Sequence, residues 1–266
     1  MRRPDDYQIM DAISGKYAGK KALIVLGGPS ASGWKALRKE IKPDLIIGVN
    51  GVNGMIEDLD FWLCSENMLK SHRMAQDEND VRGISLMEMY QRTGAKIRLV
   101  NFKSYPIIKD KTNLVRIKRN GLDIPEKPGD FSFRKYGEGL LTGGLYLDPQ
   151  KVGMLLRTGT VGLQALHLAA ILGCDQIHTI GFDLCFKADQ EHHWYVYPSY
   201  ETDTYWKKDS FTLYQGVATL WWWIETARYI KRIEPLLEKE GIDWIDHSDG
   251  LLTIENLHCA RNHEQK

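Results

Sequence analysis

The sequence lacks paired cysteines. Its four, Cys64, Cys174, Cys185 and Cys259, form no C-x-x-C pair, which excludes a zinc or disulfide framework read from spacing. That usage favours a reducing compartment, so a cytoplasmic location is expected. It also lacks net charge. The 35 Lys and Arg residues balance 35 Asp and Glu residues, which argues against a chain that binds polyanions along its whole surface. No apolar run approaches the ~18 residues that span a bilayer. The charged start (Arg2, Arg3, Asp5, Asp6) has no apolar segment of the signal-peptide kind. Two familiar phosphate fingerprints are missing as well. Neither a Gly-Lys-Ser/Thr ending nor a G-x-G-x-x-G run occurs where a strand meets a helix.

An apolar content of 43% in 266 residues is enough for a full core. The pattern predicts one domain over residues 1–266, with strands and helices alternating. Lys21 to Gly27 is a continuous apolar run between breakers and reads as a buried parallel strand. Trp34 to Ile41 reads as a helix, Asp44 to Val49 as a second strand and Phe61 to Cys64 as a third. Met68 to Arg92 reads as mostly helical, and Ala95 to Phe102 as another strand. Residues 103–150 carry Pro106, Pro125, Pro128 and Pro149 and read as an irregular insertion or lid. Within them the basic run Lys109 to Arg119 reads as a solvated loop, with a weak pointer to an anionic acceptor. Regular structure resumes at Gly159. Val161 to Leu172 is a helix, and a short apolar strand ends at Gly181-Phe182-Asp183. Thr212 to Lys239 is a long helix that Pro235 should end or kink. In it, Trp221-Trp222-Trp223 reads as core packing plus an interface. Asp243 to Ile245 is the last strand. The expected fold class is α/β, a mostly parallel sheet with helices on both faces and an irregular lid insertion. In such sheets ligands bind beyond the carboxyl ends of the strands.

The candidate site residues follow from that rule. Gly27, Gly28, Pro29 and Ser30 end the first strand, where glycines let backbone N–H groups approach an anion. The competing reading is a plain tight turn. Asn50 ends the second strand, as a ligand amide or as a turn former with Gly51. Ser65 ends the third. Thr158, Gly159 and Thr160 open a helix, which makes a second anion site or an ordinary N-cap. Gly181 and Asp183 end a later strand, where the carboxylate either binds ribose hydroxyls, a metal or an acceptor group, as a catalytic candidate with His192 and His193, or caps a turn. His192 and His193 follow in a polar loop with Trp194, Tyr195 and Tyr197. Histidine is the usual general base near neutral pH.

Taken together, G-G-P-S, the N-G after the next strand, T-G-T-V-G-L-Q-A with L-G-C, I-G-F-D-L and H-H resemble the DUF115/MptE-like superfamily. That grouping is in turn similar to the sialyltransferases of glycosyltransferase family 42. The resemblance implies a Rossmann-like fold with a lid. It also implies a nucleotide-sugar donor of the CMP-sugar type, a hydroxyl acceptor and no required cofactor. Gly28, Pro29 and Ser30 would line the phosphate, and Asn50 would contact the nucleotide. Thr158, Gly159 and Thr160 would lie beneath sugar and phosphate, and Gly181 and Asp183 would hold the ribose and base side. His192 or His193 would take the acceptor proton, and Tyr195 or Tyr197 would donate to the leaving phosphate. Asp246 to Leu252 resembles the loop that closes the pocket. Gly27 departs from an Asn common in the family. Cys64 to Asn67 replaces the Asp-rich metal motif of the pterin diphosphokinase branch. The alternatives are a magnesium- and ATP-dependent diphosphokinase using Asp60, Glu66 and Asp183, and a non-catalytic nucleotide-binding module. A homo-oligomer is compatible with each.

Overall fold

A computed structural model describes residues 9, 12–54, 56–65, 94–101, 106, 108–110, 112–122, 132–134, 154–156, 160–184 and 213–250. Strands β1 Lys21–Val25, β2 Leu45–Val49, β3 Phe61–Cys64, β4 Ile97–Asn101, β5 Leu114–Leu122, β6 Met154–Leu156, β7 Gln176–Ile180 and β8 Asp243–Asp246 join in one sheet. Their order is β6-β5-β4-β3-β2-β1-β7-β8. Every pairing is parallel. The helices α1 Trp34–Ile41, α2 Val161–Ile171 and α3 Leu213–Lys239 complete an α/β Rossmann-like fold.

The continuous apolar character of β1 (KALIV) and β2 (LIIGV) has a direct cause: both sheet faces are covered. Alternate residues serve opposite layers. Ala22 and Ile24 pack in the cluster that holds α2 and α3, and Leu23 and Val25 pack with Trp34, Leu37 and Ile41 of α1. Each of the Leu, Ile and Val side chains among them, fully buried, stabilises the fold by roughly 1.5–3 kcal/mol before entropy is counted. Helix α1 buries only its i, i+3, i+7 stripe. Helix α2 is apolar nearly all round and buried from Gly162 through Ile171, as a helix enclosed on every side must be. Arg134 ties down the far ends of α2 and α3. It donates to the carbonyls of Ala170 (3.3 Å), Cys174 (3.2 Å) and Glu240 (3.4 Å) and pairs with Asp175 (2.7 Å). Gly173, at φ +98°, ends α2 against Ala18.

Three features differ from expectation. Residues 114–122, predicted to be irregular, form β5, which pairs with β4 from Arg98↔Leu114 to Asn101↔Ile117. Half of the basic run therefore lies in a strand, with Val115 and Ile117 buried between its cations. Residues 154–156 add β6. Helix α3 runs through Pro235 to Lys239. Pro235 and Lys231 are exposed, while Ile233, Leu236 and Leu237 are buried. The carbonyl that loses its donor thus faces water, and core packing holds the helix across the break. The helix expected over 68–92 lies outside the described residues. Among the described residues no helix is long and apolar enough to cross a membrane.

Candidate functional site

The chain leaves β1 toward β2, while β7 returns on β1's other side. A crevice opens beyond the carboxyl ends of strands where such a reversal occurs. A cavity of about 160 Å³ lies there, and Gly27, Gly28, Pro29, Asn50, Thr160, Gly181 and Asp183 all line it. Seven of the sequence-predicted site residues are thus brought together. Ser30 stands directly behind them. Ser65 is buried at the end of β3 and is not in the lining. Thr158, Gly159, His192, His193, Tyr195 and Tyr197 lie outside the described residues.

Two of the walls are locked to each other. The Gly28 N–H donates to the Gly181 carbonyl at 3.0 Å, and the Leu26 N–H to Ile180 at 2.9 Å. A Cβ on Gly28 would collide with the Asp183 carboxylate and lie 2.6 Å from the Gly181 carbonyl oxygen. Gly181 sits at φ +84°, and a Cβ there would be 2.7 Å from the Leu26 carbonyl oxygen. Both positions therefore need glycine for the close approach of the two turns.

Asp183 is 2% exposed. Its Oδ2 accepts the Ser30 N–H at 3.2 Å and the Ser30 hydroxyl at 3.0 Å. The same hydroxyl accepts the Gly181 N–H at 3.0 Å. The carboxylate therefore caps the short 3-10 turn Pro29–Gly33 from across the crevice. The amide where a ligand phosphate was expected therefore already has an acceptor within the protein.

The opposite side is the start of α2. Thr160 is its N-cap, yet its side chain makes no capping bond to the helix. Thr160, Val161 and Gly162 face the cavity, so the positive end of the helix dipole points into it. Asn50 closes the rim at φ +45°, a conformation Asn tolerates better than most residues. Its carbonyl accepts the Trp62 indole N–H at 2.8 Å.

The segment after β8 braces the Asp183 wall. Ser248 Oγ accepts the Phe182 N–H at 2.7 Å and donates to Asp246 at 2.9 Å. Asp246 also takes the Thr179 hydroxyl at 2.6 Å. The His247 N–H donates to the Thr179 carbonyl at 2.8 Å, and Gly250 packs on the Asp183 backbone. Beneath this, His178 Nδ1 and His247 Nε2 stand 2.9 Å apart in stacked rings. Burial first, then His247 and Lys21, push His178 down to about 4. Burial also lowers His247, partly offset by Glu40.

The lining contains residues that the sequence reading passed over: Leu26, Val49, Val161, Gly162, Phe182, Leu184 and Trp223. Gly162 carried a usable signal, because a glycine inside a helix costs about 1 kcal/mol and so points to close packing. A Cβ there would lie 2.5 Å from Leu26 and 2.9 Å from Phe182. Trp223 packs partly on the core and partly on the cavity. The side chains of Trp221 and Trp222 are outside the described set.

The carboxylate set of the diphosphokinase alternative does not assemble. Asp60 precedes β3, where it accepts the Ile46 N–H at 2.8 Å and the Lys96 ammonium at 2.5 Å. Asp183 follows β7. Three strand spacings, roughly 14 Å, separate β3 from β7, and a magnesium ion holds its ligands at ~2.1 Å. Glu66 lies outside the described residues. Among the described residues no group of three or more His, Cys, Asp or Glu side chains converges as a metal site. No protein-family model, curated protein or solved structure matches this chain.

Proposed function

We propose that the crevice binds a nucleotide with its phosphate at the start of α2, and that the protein is a glycosyltransferase using a nucleotide-sugar donor. The observation that carries the binding reading is the convergence of β1, β2 and β7 ends on the α2 N-terminus in one cavity. Backbone donors and a helix dipole suit an anion there without a cation. The transfer chemistry rests on the family resemblance, and the donor of CMP-sugar type with it. His192 and His193 are the base candidates for the acceptor hydroxyl. Asp183, held at Oδ2 by Ser30, is positioned at the crevice wall.

The test is a thermal-shift panel of CMP, UDP, GDP, ADP and ATP, with and without magnesium. A ligand at a hundred times its Kd stabilises by about 2.7 kcal/mol. One nucleotide family should do so without magnesium, and the matching nucleotide sugar should turn over slowly in its presence. His192→Ala or His193→Ala should abolish that turnover while keeping the thermal shift. A panel in which no nucleotide raises the melting temperature refutes the reading. A shift that appears only with ATP and magnesium favours pyrophosphoryl transfer instead.

A further inference from the structure

Resting on the nucleotide reading above, we propose that Gln164 is a specificity-determining residue. It would read a hydrogen-bond donor on the group that the nucleotide carries beyond its phosphate. Gln164 is 1% exposed, and its Oε1 has no hydrogen-bond partner. Folding alone gives no reason for that. Buried carboxamides are almost always paired, and an orphaned one is a net cost. His167, the next polar side chain along α2, is engaged: its Nδ1 accepts the Leu156 N–H at 3.2 Å.

Helical spacing ties Gln164 to the crevice. It lies behind the lining, as the fourth residue after Thr160 and the third after Val161, which both line the cavity. Residues at those spacings share one strip of a helix. Helical side chains lean toward the N-terminal turn, which here is the turn that faces the crevice. His167 continues the strip away from the cavity, where Leu156 engages it. Gln164 therefore stands one turn inward from the place assigned to the phosphate. A group attached to that phosphate is the part of the ligand that comes within its reach.

The chemistry of the amide narrows the group. Oε1 needs an O–H or N–H, and Nε2 needs an acceptor. A sugar hydroxyl or an acylamino group offers both. A second phosphate or a carboxylate offers acceptors only, so on those oxygens alone Oε1 stays unpaired and the sugar's hydroxyl or acylamino group must supply the donor. Buried as Gln164 is, such a pair discriminates against a ligand that lacks the donor.

The test compares the wild-type protein with Gln164→Met, which is close in shape, and Gln164→Leu as a second variant. Kd values are measured by calorimetry for CMP, UDP and GDP, and for CMP-N-acetylneuraminate, UDP-N-acetylglucosamine and GDP-mannose. Because no internal bond is lost, the ligand-free variants should melt at or above the wild-type temperature. Affinity for the preferred nucleotide sugar should fall about tenfold or more, while the bare nucleotide stays within about threefold. Three results overturn the proposal: equal losses for sugar and bare nucleotide, unchanged nucleotide-sugar affinity, or failure of both variants to fold. If the wild-type protein binds neither nucleotides nor nucleotide sugars, the functional reading itself falls. Normal wild-type binding with an indifferent Gln164 removes only this assignment.

Discussion

Acidification should weaken this fold through one identifiable pair. His178 on β7 and His247 after β8 share a hydrogen bond of 2.9 Å that needs one ring nitrogen as donor and the other as acceptor. A proton on the acceptor ring turns both facing nitrogens into donors; on His178 it also faces Lys21 of β1, and on His247 Glu40 of α1 offsets it in part. His178 is 6% exposed, so solvent screens that charge poorly. Its pKa falls from the ordinary 6.5 to about 4 in the native protein. Above pH 6.5 the ring is neutral in both native and unfolded chains, and stability is complete. As pH drops below 6.5, the unfolded chain takes up a proton that the native chain refuses. The loss grows until about pH 4, where the native ring also protonates. At ~1.4 kcal/mol per pKa unit, the full loss from His178 is roughly 3 kcal/mol, most of it reached by pH 4.5. Urea unfolding at pH 7 and pH 4.5 reads it directly, as a fall of about 1 M in the midpoint. Carboxylates titrate in the same range, so the informative quantity is the difference between the wild-type protein and His178→Phe. The variant starts less stable at pH 7, because the hydrogen bond is gone, but should lose about 2 kcal/mol less on acidification. Equal losses in the two proteins would refute the assignment of this pH dependence to the histidine pair.

Two further outcomes test the crevice walls. Gly28→Ala should cost about 1–3 kcal/mol and abolish the nucleotide-induced thermal shift, because its Cβ meets the Asp183 carboxylate and a backbone carbonyl 2.6 Å away; a variant that melts normally would show that the two turns separate easily. Ser248→Ala should lower stability by about 1–3 kcal/mol, seen as an earlier midpoint in urea, since it leaves the buried Phe182 N–H without its 2.7 Å acceptor; an unchanged midpoint would contradict the brace.

The sheet centre was legible because β1, β2, β3 and β7 are buried on both faces and read as apolar runs ended by Gly, Asn or Ser. Helix α1 was legible from its Trp34, Leu37 and Ile41 stripe. β5 was not, because Arg116, Lys118 and Arg119 interrupt its apolar residues and Asn120-Gly121 imitates a turn inside the strand. β6, at three residues, is too short to show a period. The crevice could be placed from sequence because glycines mark strand ends, and seven of its expected residues do line it. The partnership of Ser30 with Asp183 was not readable. The two lie 153 positions apart, and no local pattern connects them. The same holds for Ser248 with Phe182, which are 66 positions apart.

That long-range partnership changes which end of the crevice is suited to an anion. Read locally, the turn after β1 and the turn before α2 look equivalent, each offering glycine, hydroxyl and a helix start. In three dimensions they are opposite in character. At the first, the Asp183 carboxyl group accepts both the amide and the hydroxyl of Ser30, so a ligand phosphate would find those donors already taken. At the second, the Thr160 side chain does not cap α2, and the first turn faces the cavity. Under the proposed nucleotide reading, a phosphate would gain the dipole of α2 by lying against Thr160, Val161 and Gly162. The Asp183 side then suits uncharged groups with hydroxyl or amide donors, which a carboxylate favours. A ligand that is anionic at one end and rich in hydroxyls at the other fits this polarity, and a nucleoside phosphate has that form.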